Sequence, residues 1–177
     1  MPSKTRRGFT LIELMVVVAV MGILAVLVYP MYREQLLKTR RAEGWSLLLN
    51  AAQQEERFYT ANNGYTAIVG TVAGSNGLGL APSSPDGLSV TSQFGYYTLT
   101  AAVGSVATGE TACTTGGRLR SCYVLSVTAQ GAQAQDKDRG TTCFSLTLDS
   151  LGNKDSTSDG TTANGATAGG TPYCWSK

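Results

Sequence analysis

The residues with the clearest chemical potential lie near the amino terminus, where a short basic segment meets a long apolar run. The string GFTLIEL begins at Gly8, directly after a basic segment, residues 1–7, that contains Lys4, Arg6 and Arg7. An acid inside an apolar span costs on the order of 3 kcal/mol, so Glu13 is expected to have a partner. Cleavage after Gly8 would create an ammonium on Phe9, and this cation could pair with Glu13 of an adjacent subunit. Alternatively, Glu13 only stabilises the positive end of its own helix at the headgroup boundary.

The common catalytic constellations are not indicated. The chain contains no histidine, which removes the commonest general base and the commonest metal ligand. No glycine-rich phosphate loop precedes a helix, and no nucleophile has an evident base beside it. We therefore predict a structural protein with no enzyme activity, no cofactor and no metal.

Four cysteines lie in the second half of the chain, at positions Cys113, Cys122, Cys143 and Cys174. Three disulfide pairings are possible, and an even number after a membrane segment indicates an oxidising compartment. Cys113 and Cys122 flank a Gly-Gly turn and would close a hairpin, whereas Cys143 and Cys174 would tie the tail to a strand. Metal binding is the weaker alternative because these spacings fit no zinc pattern.

Oxygen-bearing side chains near residue 150 raise the question of calcium. Asp149, Asn153, Asp155 and Asp159 could supply ligands, but their spacing does not match the EF-hand loop. A solvated turn is the favoured interpretation.

The positive side chains are nearly balanced by acidic ones, so the charge does not predict nucleic-acid binding as the main role. Without the three basic residues of the leader, 11 of the 14 basic side chains remain against 12 acidic ones. A near-neutral chain has little attraction for polyanions. The candidate cations for DNA are Arg118, Arg120, Lys137, Arg139 and Lys154, and they are offset by Asp136, Asp138 and Asp155.

The element that must position Phe9 and Glu13 is a long helix. Residues 9–29 are almost entirely apolar, and about 20 helical residues span a bilayer core of roughly 30 Å. The basic leader should stay cytoplasmic, which places everything after Pro30 outside. Gly22 and Pro30 are helix breakers, and they predict either a simple kink or a stretch that can unwind.

Beyond Pro30 the helix becomes amphipathic and should pack on a sheet. We expect it to run from about residue 10 to residue 60 and to end at 60–64, where Asn and Gly can form a left-handed cap. The predicted packing face consists of Tyr32, Leu36, Leu47, Leu48, Ala51, Glu55 and Phe58. The charged residues Lys38, Arg40, Arg41, Glu43 and Arg57 are expected largely elsewhere. One interpretation of the basic cluster Lys38, Arg40 and Arg41 is a solvated helix face just outside the membrane.

The rest of the chain predicts a small head. Residues 66–93 are rich in Gly, Ser and Pro and predict a long connecting loop. Alternating patterns predict strands at 96–103, 122–129 and 142–148, each with one face for a core. Residues 150–171 have too few apolar side chains to stay ordered without a disulfide. The fold class is therefore α+β, a long helix packed on a small antiparallel sheet.

The basic leader followed by the GFTLIE string resembles the class III signal of type IV prepilins. The resemblance implies that a prepilin peptidase cuts between Gly8 and Phe9 and N-methylates Phe9, and that Glu13 directs assembly. The RRAE string from Arg40, the QEERFYT string from Gln54 and the later Gly64-Tyr65 pair resemble PilE-type minor pilins. Such chains commonly end in Cys-Trp, and this similarity implies a Cys143–Cys174 bond.

The resemblance implies the type IV pilin fold. It also implies that the protein is a minor pilin that serves adhesion, twitching motility or DNA uptake. A pseudopilin of type II secretion is the alternative, and a pilin-based DNA receptor is less favoured. The partners are other pilin subunits, prepilin peptidase and the inner-membrane assembly platform. The precursor would sit in the inner membrane with a periplasmic head, and later on the pilus surface. We expect a leader at 1–8, a membrane helix at 9–30, its amphipathic half at 31–60 and the head at 61–177.

Overall fold

The chain forms two compact units, Met1–Leu36 and Leu37–Lys177. The computed structural model describes residues 9–71, 77–105, 113–115, 120–138, 141–157 and 172–175. Several residues singled out from the sequence lie outside these ranges, namely Gly8, Arg118, Arg139 and Asp159.

The dominant element is the helix α1, Leu11–Asn62, which contains 52 residues. It continues without interruption through Gly22 and Pro30, because glycine and proline are tolerated in helices of membrane-spanning character. By length and composition, α1 is able to cross a membrane. In the first unit of the chain, the apolar side chains of α1 from Leu11 to Met31 are exposed.

The helix ends where the sequence predicts a cap. Asn63 adopts a left-handed conformation with φ of 55°, and its N–H donates to the carbonyl of Tyr59 at 2.8 Å. The side-chain amide of Asn62 donates to the carbonyl of Phe58 at 3.0 Å. The first bond satisfies a carbonyl of the last turn, and the second adds a side-chain donor to the same end of the helix.

The second unit contains an antiparallel sheet. Its main path runs in the order β1-β2-β4-β7-β8, with β3 paired to β2 and a separate β5–β6 pair. The strands are β1 Ser89–Thr91, β2 Tyr97–Ser105, β3 Thr114–Thr115, β4 Cys122–Ala129, β5 Lys137–Asp138, β6 Thr141–Thr142, β7 Ser145–Asp149 and β8 Lys154–Thr157. Two short 3-10 helices, Gly131–Gln135 and Pro172–Trp175, complete the described structure.

The predicted fold class is confirmed, and the three predicted strands correspond to β2, β4 and β7. The predicted plain loop at 66–93 is wrong in its last part, because β1 pairs with β2 there. Strand β8 was not predicted either; it pairs with β7. Both missed strands lie at the edges of the sheet and are short, with three and four residues, so they are too short to show a clear apolar alternation.

The core lies between the second part of α1 and one face of the sheet. From the helix, Leu48 and Ala51 are fully buried, and they share the apolar cluster with Leu99, Leu125 and Leu146 of the sheet. The opposite face of the central strands is also buried and carries small polar side chains such as Ser126, Ser145 and Thr147. The expectation of a single buried face is therefore wrong for β4 and β7.

The predicted packing face of the helix is correct in its middle and wrong at its start. Leu48, Ala51 and Glu55 are buried, and Leu36, Leu47 and Phe58 are half-buried, whereas Tyr32 is 63% exposed. Tyr32 belongs to the first unit, in which side chains have few packing partners.

A close approach between α1 and β2 depends on Gly44. A Cβ atom at this position would lie 3.2 Å from the ring of Tyr97. The missing side chain lets the flat face of the tyrosine ring rest directly on the helix backbone.

Candidate functional site

The amino-terminal residues form a local arrangement around Glu13. The Glu13 N–H donates to Thr10 Oγ1 at 3.4 Å, and the Thr10 hydroxyl lies 3.5 Å from Glu13 Oε2. This is the geometry of a helix-capping pair, which supports the simpler role of Glu13 at the positive helix end. Both side chains are exposed, and so is Phe9, which leaves the carboxylate accessible to a neighbouring subunit.

The head contains a buried ion pair that the sequence did not predict. Arg41 Nε donates to Asp136 Oδ2 at 2.7 Å, and its Nη2 donates to Oδ1 at 2.9 Å. Both residues are 1% exposed. Arg41 therefore does not lie on a solvated face, and that interpretation is wrong for this residue. Its side chain is buried because it pairs with the carboxylate of Asp136, which lies 95 residues away in the chain.

Gln133 extends this network to the helix backbone and the sheet. Its side-chain amide donates to the carbonyl of Leu37 at 3.0 Å and to the hydroxyl of Tyr97 at 3.1 Å. Burial raises the pKa of Tyr97, so its hydroxyl remains protonated under ordinary conditions. The segment that contains Gln133 and Asp136 is thereby fixed to α1 through polar contacts.

Two disulfides close the head. Cys143 is bonded to Cys174, and Cys113 to Cys122, which are the pairings favoured from the sequence. The bond to Cys174 places Trp175 against Trp45, with ring centroids 6.4 Å apart and planes 10° apart. Trp175 also donates from its indole nitrogen to the carbonyl of Asp155 at 2.8 Å.

Glu55 is a fully buried carboxylate near the end of α1. Its Oε2 accepts the N–H of Thr66 at 3.1 Å, while its Oε1 is buried and has no hydrogen-bond partner among the described residues. Burial raises the pKa of Glu55 to about 7, an effect opposed by the Thr66 N–H and increased by the charge of Glu56. Burial and the neighbouring Glu56 also raise the pKa of Tyr65 to about 12.

The candidate calcium ligands are engaged in their own turn. Asp149 Oδ1 accepts the N–H groups of Leu151 and Asn153, and Asp149 Oδ2 accepts the Asn153 side-chain amide at 2.8 Å. Asp149 and Asp155 are both buried, so the expected solvated turn is wrong for these two side chains. Within the described ranges, no three acidic, cysteine or histidine residues form a group that could hold a metal ion.

A cleft of about 380 Å³ opens where the end of α1 meets the loop after it and Arg120, which lies just before β4. Residues of all three segments line it, including Phe58, Asn62, Gly64, Ile68 and Arg120. The Tyr65 N–H donates to the carbonyl of Arg120 at 3.0 Å, which fixes the chain before β4 to the loop.

Two family models match the chain. The first, described as a type IV minor pilin ComP and DNA uptake sequence receptor, matches residues 30–147, about two thirds of the chain. The chain belongs to this family of type IV minor pilins. The second, a prokaryotic N-terminal methylation motif, matches residues 3–29 of this pilin. The prediction of a type IV prepilin is confirmed, and the family is one of structural filament proteins.

Curated relatives are fimbrial proteins. The pilin is 32% identical to fimbrial protein EcpC of Eikenella corrodens over 80 residues, which is 42% of this chain and 52% of that protein. It is 52% identical to the type IV major fimbrial protein FimA of Dichelobacter nodosus over 42 residues, covering 24% and 26% of the two chains. A fimbrial protein of Moraxella nonliquefaciens is 32% identical over 94 residues, 47% and 61% of the two chains. The pilin thus spans between about a quarter and three fifths of the length of these relatives.

Proposed function

We propose that this pilin is a minor subunit of a type IV pilus and that its head binds DNA during uptake. The observation that carries the proposal is the match over residues 30–147 to a family described as a DNA uptake sequence receptor. That range includes the second half of α1, strands β1 to β6, the first three residues of β7 and the Cys113–Cys122 disulfide. Because of this match, we favour DNA binding over adhesion, twitching motility and a pseudopilin role. The near-neutral charge of the sequence by itself had made DNA binding a less favoured function.

The head offers exposed cations for such binding. Arg57, Arg120, Lys137 and Lys154 are all exposed. Among the described residues, the Arg120 guanidinium has no ion-pair partner. Cations of this kind neutralise phosphates and release counterions, which supplies most of the sequence-independent affinity for duplex DNA.

Assembly would use the amino terminus. In this proposal prepilin peptidase cuts between Gly8 and Phe9 and methylates the new amino group, and Glu13 of one subunit pairs with this group on another. Residues 9–30 lie in the inner membrane before assembly and in the filament core afterwards. The head is periplasmic in the precursor and lies on the filament surface after the assembly platform adds the subunit. The methylation motif at 3–29 and the exposed apolar side chains of the first unit support this sequence of events.

DNA binding is tested with the full chain in detergent micelles, by fluorescence anisotropy of a labelled blunt duplex at several salt concentrations. We expect affinity to fall as salt rises, and Arg120→Gln to reduce the logarithmic salt slope by about 1. Absence of duplex binding even at low salt would remove the DNA-binding part of the proposal and leave the pilin assignment unchanged.

Assembly is tested by co-expression with prepilin peptidase and a pilus assembly system. We expect intact mass and amino-terminal sequencing to identify N-methylated Phe9 in the native chain. Glu13→Gln should still be cut but should fail to enter sheared filaments. Glu34→Gln serves as the matched control, since Glu34 is an exposed acid on the same helix beyond the apolar run. Incorporation of Glu13→Gln at the native level would contradict the assembly role.

A further inference from the structure

The cleft beside Arg120 combines three properties of a ligand site. It is concave, with a volume of about 380 Å³, which is within the usual range for small-molecule pockets. Phe58 and Ile68 give it an apolar wall, and Asn62 adds an exposed amide. Arg120 contributes an exposed positive charge.

Among the described residues, the Arg120 guanidinium forms no ion pair, so its charge can meet an external anion. An anion attached to an apolar group is therefore the chemistry that the cleft complements.

We propose that the cleft holds one unstacked nucleobase of bound DNA, with the adjoining phosphate on Arg120. This inference rests on the proposed DNA-binding function and assigns it a specific subsite. The base packs against the Phe58 side of the cleft. The amide nitrogen of Asn62 already donates to the carbonyl of Phe58, so its Oδ1 is the acceptor assigned to a base edge.

The energetics predict which DNA the cleft prefers. Contact between a base and an aromatic side chain raises affinity by roughly 5- to 150-fold per base. Removing a base from a duplex cancels much of that gain, and the loss is smallest where the base is already unpaired. A blunt duplex therefore gains little from the cleft, whereas a duplex with a single-stranded tail gains most of the contact energy.

Gly64 provides a way to fill the cleft. A Cβ atom at this position would lie 3.5 Å from Arg120 Cβ and 3.7 Å from its carbonyl oxygen, which are ordinary contact distances. A methyl group is therefore accommodated at this position, and the larger side chain of Gly64→Leu is used to reduce the volume of the cleft. Gly64→Ala adds a single methyl group and is the control for the loss of glycine itself.

The test compares a labelled blunt duplex with the same duplex carrying a short single-stranded thymidine tail, using the full chain in detergent micelles. We expect the native chain to bind the tailed probe about tenfold more tightly, a difference of about 1.4 kcal/mol. Gly64→Leu and Arg120→Gln should abolish most of this preference, and Gly64→Ala should retain it. Arg57→Gln is the matched control, because Arg57 is an exposed arginine beside Phe58 that does not line the cleft.

The outcomes separate the two proposals. Equal affinity for the two probes, or a preference that survives in both Gly64→Leu and Arg120→Gln, would overturn the cleft assignment while leaving duplex binding in place. An equal loss in Arg57→Gln and Arg120→Gln would mean that general charge attraction explains the preference, and would also overturn it. If the native chain binds neither probe, the DNA-binding function and the cleft assignment both fail.

Discussion

Replacing Glu55 by glutamine should remove a pH dependence from the stability of the head. The pKa of this buried carboxyl group is raised from 4.5 to about 7, chiefly by burial. Below about pH 4.5 both the folded and unfolded chains carry the proton, and the full stability of the head is present. Between about pH 4.5 and pH 7 the unfolded chain releases the proton and the folded chain keeps it, so stability falls as pH rises. Above about pH 7 both states are ionised and the loss is complete.

The size of the effect follows from the pKa difference. About two and a half pH units at about 1.4 kcal/mol each correspond to a loss of about 3 kcal/mol between acidic and alkaline solution. For a head of this size the corresponding change in Tm is roughly 10 °C. Glu55→Gln keeps an oxygen that accepts the Thr66 N–H but carries no charge, so its stability should be nearly independent of pH over this window.

The assay is thermal unfolding of the full chain in detergent, followed by circular dichroism with the disulfides intact, at several pH values from acidic to alkaline. The variant should melt higher than the native chain in alkaline solution, and the difference should shrink as the solution becomes acidic. Glu56→Gln is the matched control: this exposed neighbour adds only a minor Coulombic effect at Glu55, so most of the pH dependence should remain. A difference in Tm that stays constant with pH would refute the reasoning.

Three further predictions concern the packing of the head. Asp136→Ala leaves Arg41 buried without its bidentate carboxylate and should lower the free energy of unfolding by about 3–5 kcal/mol, measured by chemical denaturation. A double variant that also carries Arg41→Met should recover much of this loss. A double variant as unstable as Asp136→Ala would argue against a charge effect. The Cys143–Cys174 bond closes 31 residues and the Cys113–Cys122 bond closes 9, so replacing the first pair by serine should cost about 1 kcal/mol more than replacing the second. Gly44→Val should cost about 1–3 kcal/mol because its side chain would meet the Tyr97 ring, whereas Ala42→Val on the exposed side should melt close to the native chain.

Local sequence patterns determined much of this protein. The apolar run and the helical spacing predicted α1. The Asn and Gly residues at 62–64 predicted its end at Asn62 and the left-handed Asn63 after it. Alternating apolar residues predicted β2, β4 and β7, because each central strand must turn a set of side chains toward a core. The string around Gly8 and Glu13 identified the prepilin class without any tertiary information, since the peptidase signal is a contiguous segment.

Tertiary structure alone decided the features that depend on distant residues. Arg41 has the sequence appearance of a surface cation, and only the arrival of Asp136 from 95 residues away makes its burial possible. Glu55 is buried because the loop after α1 folds back and supplies the Thr66 N–H. The edge strands β1 and β8 are defined by their pairing with β2 and β7. The cleft lies where α1, its following loop and Arg120 meet. Periodicity reports which face of an element is apolar, but a buried charge, an edge strand or a cleft is determined by which segments the fold brings together.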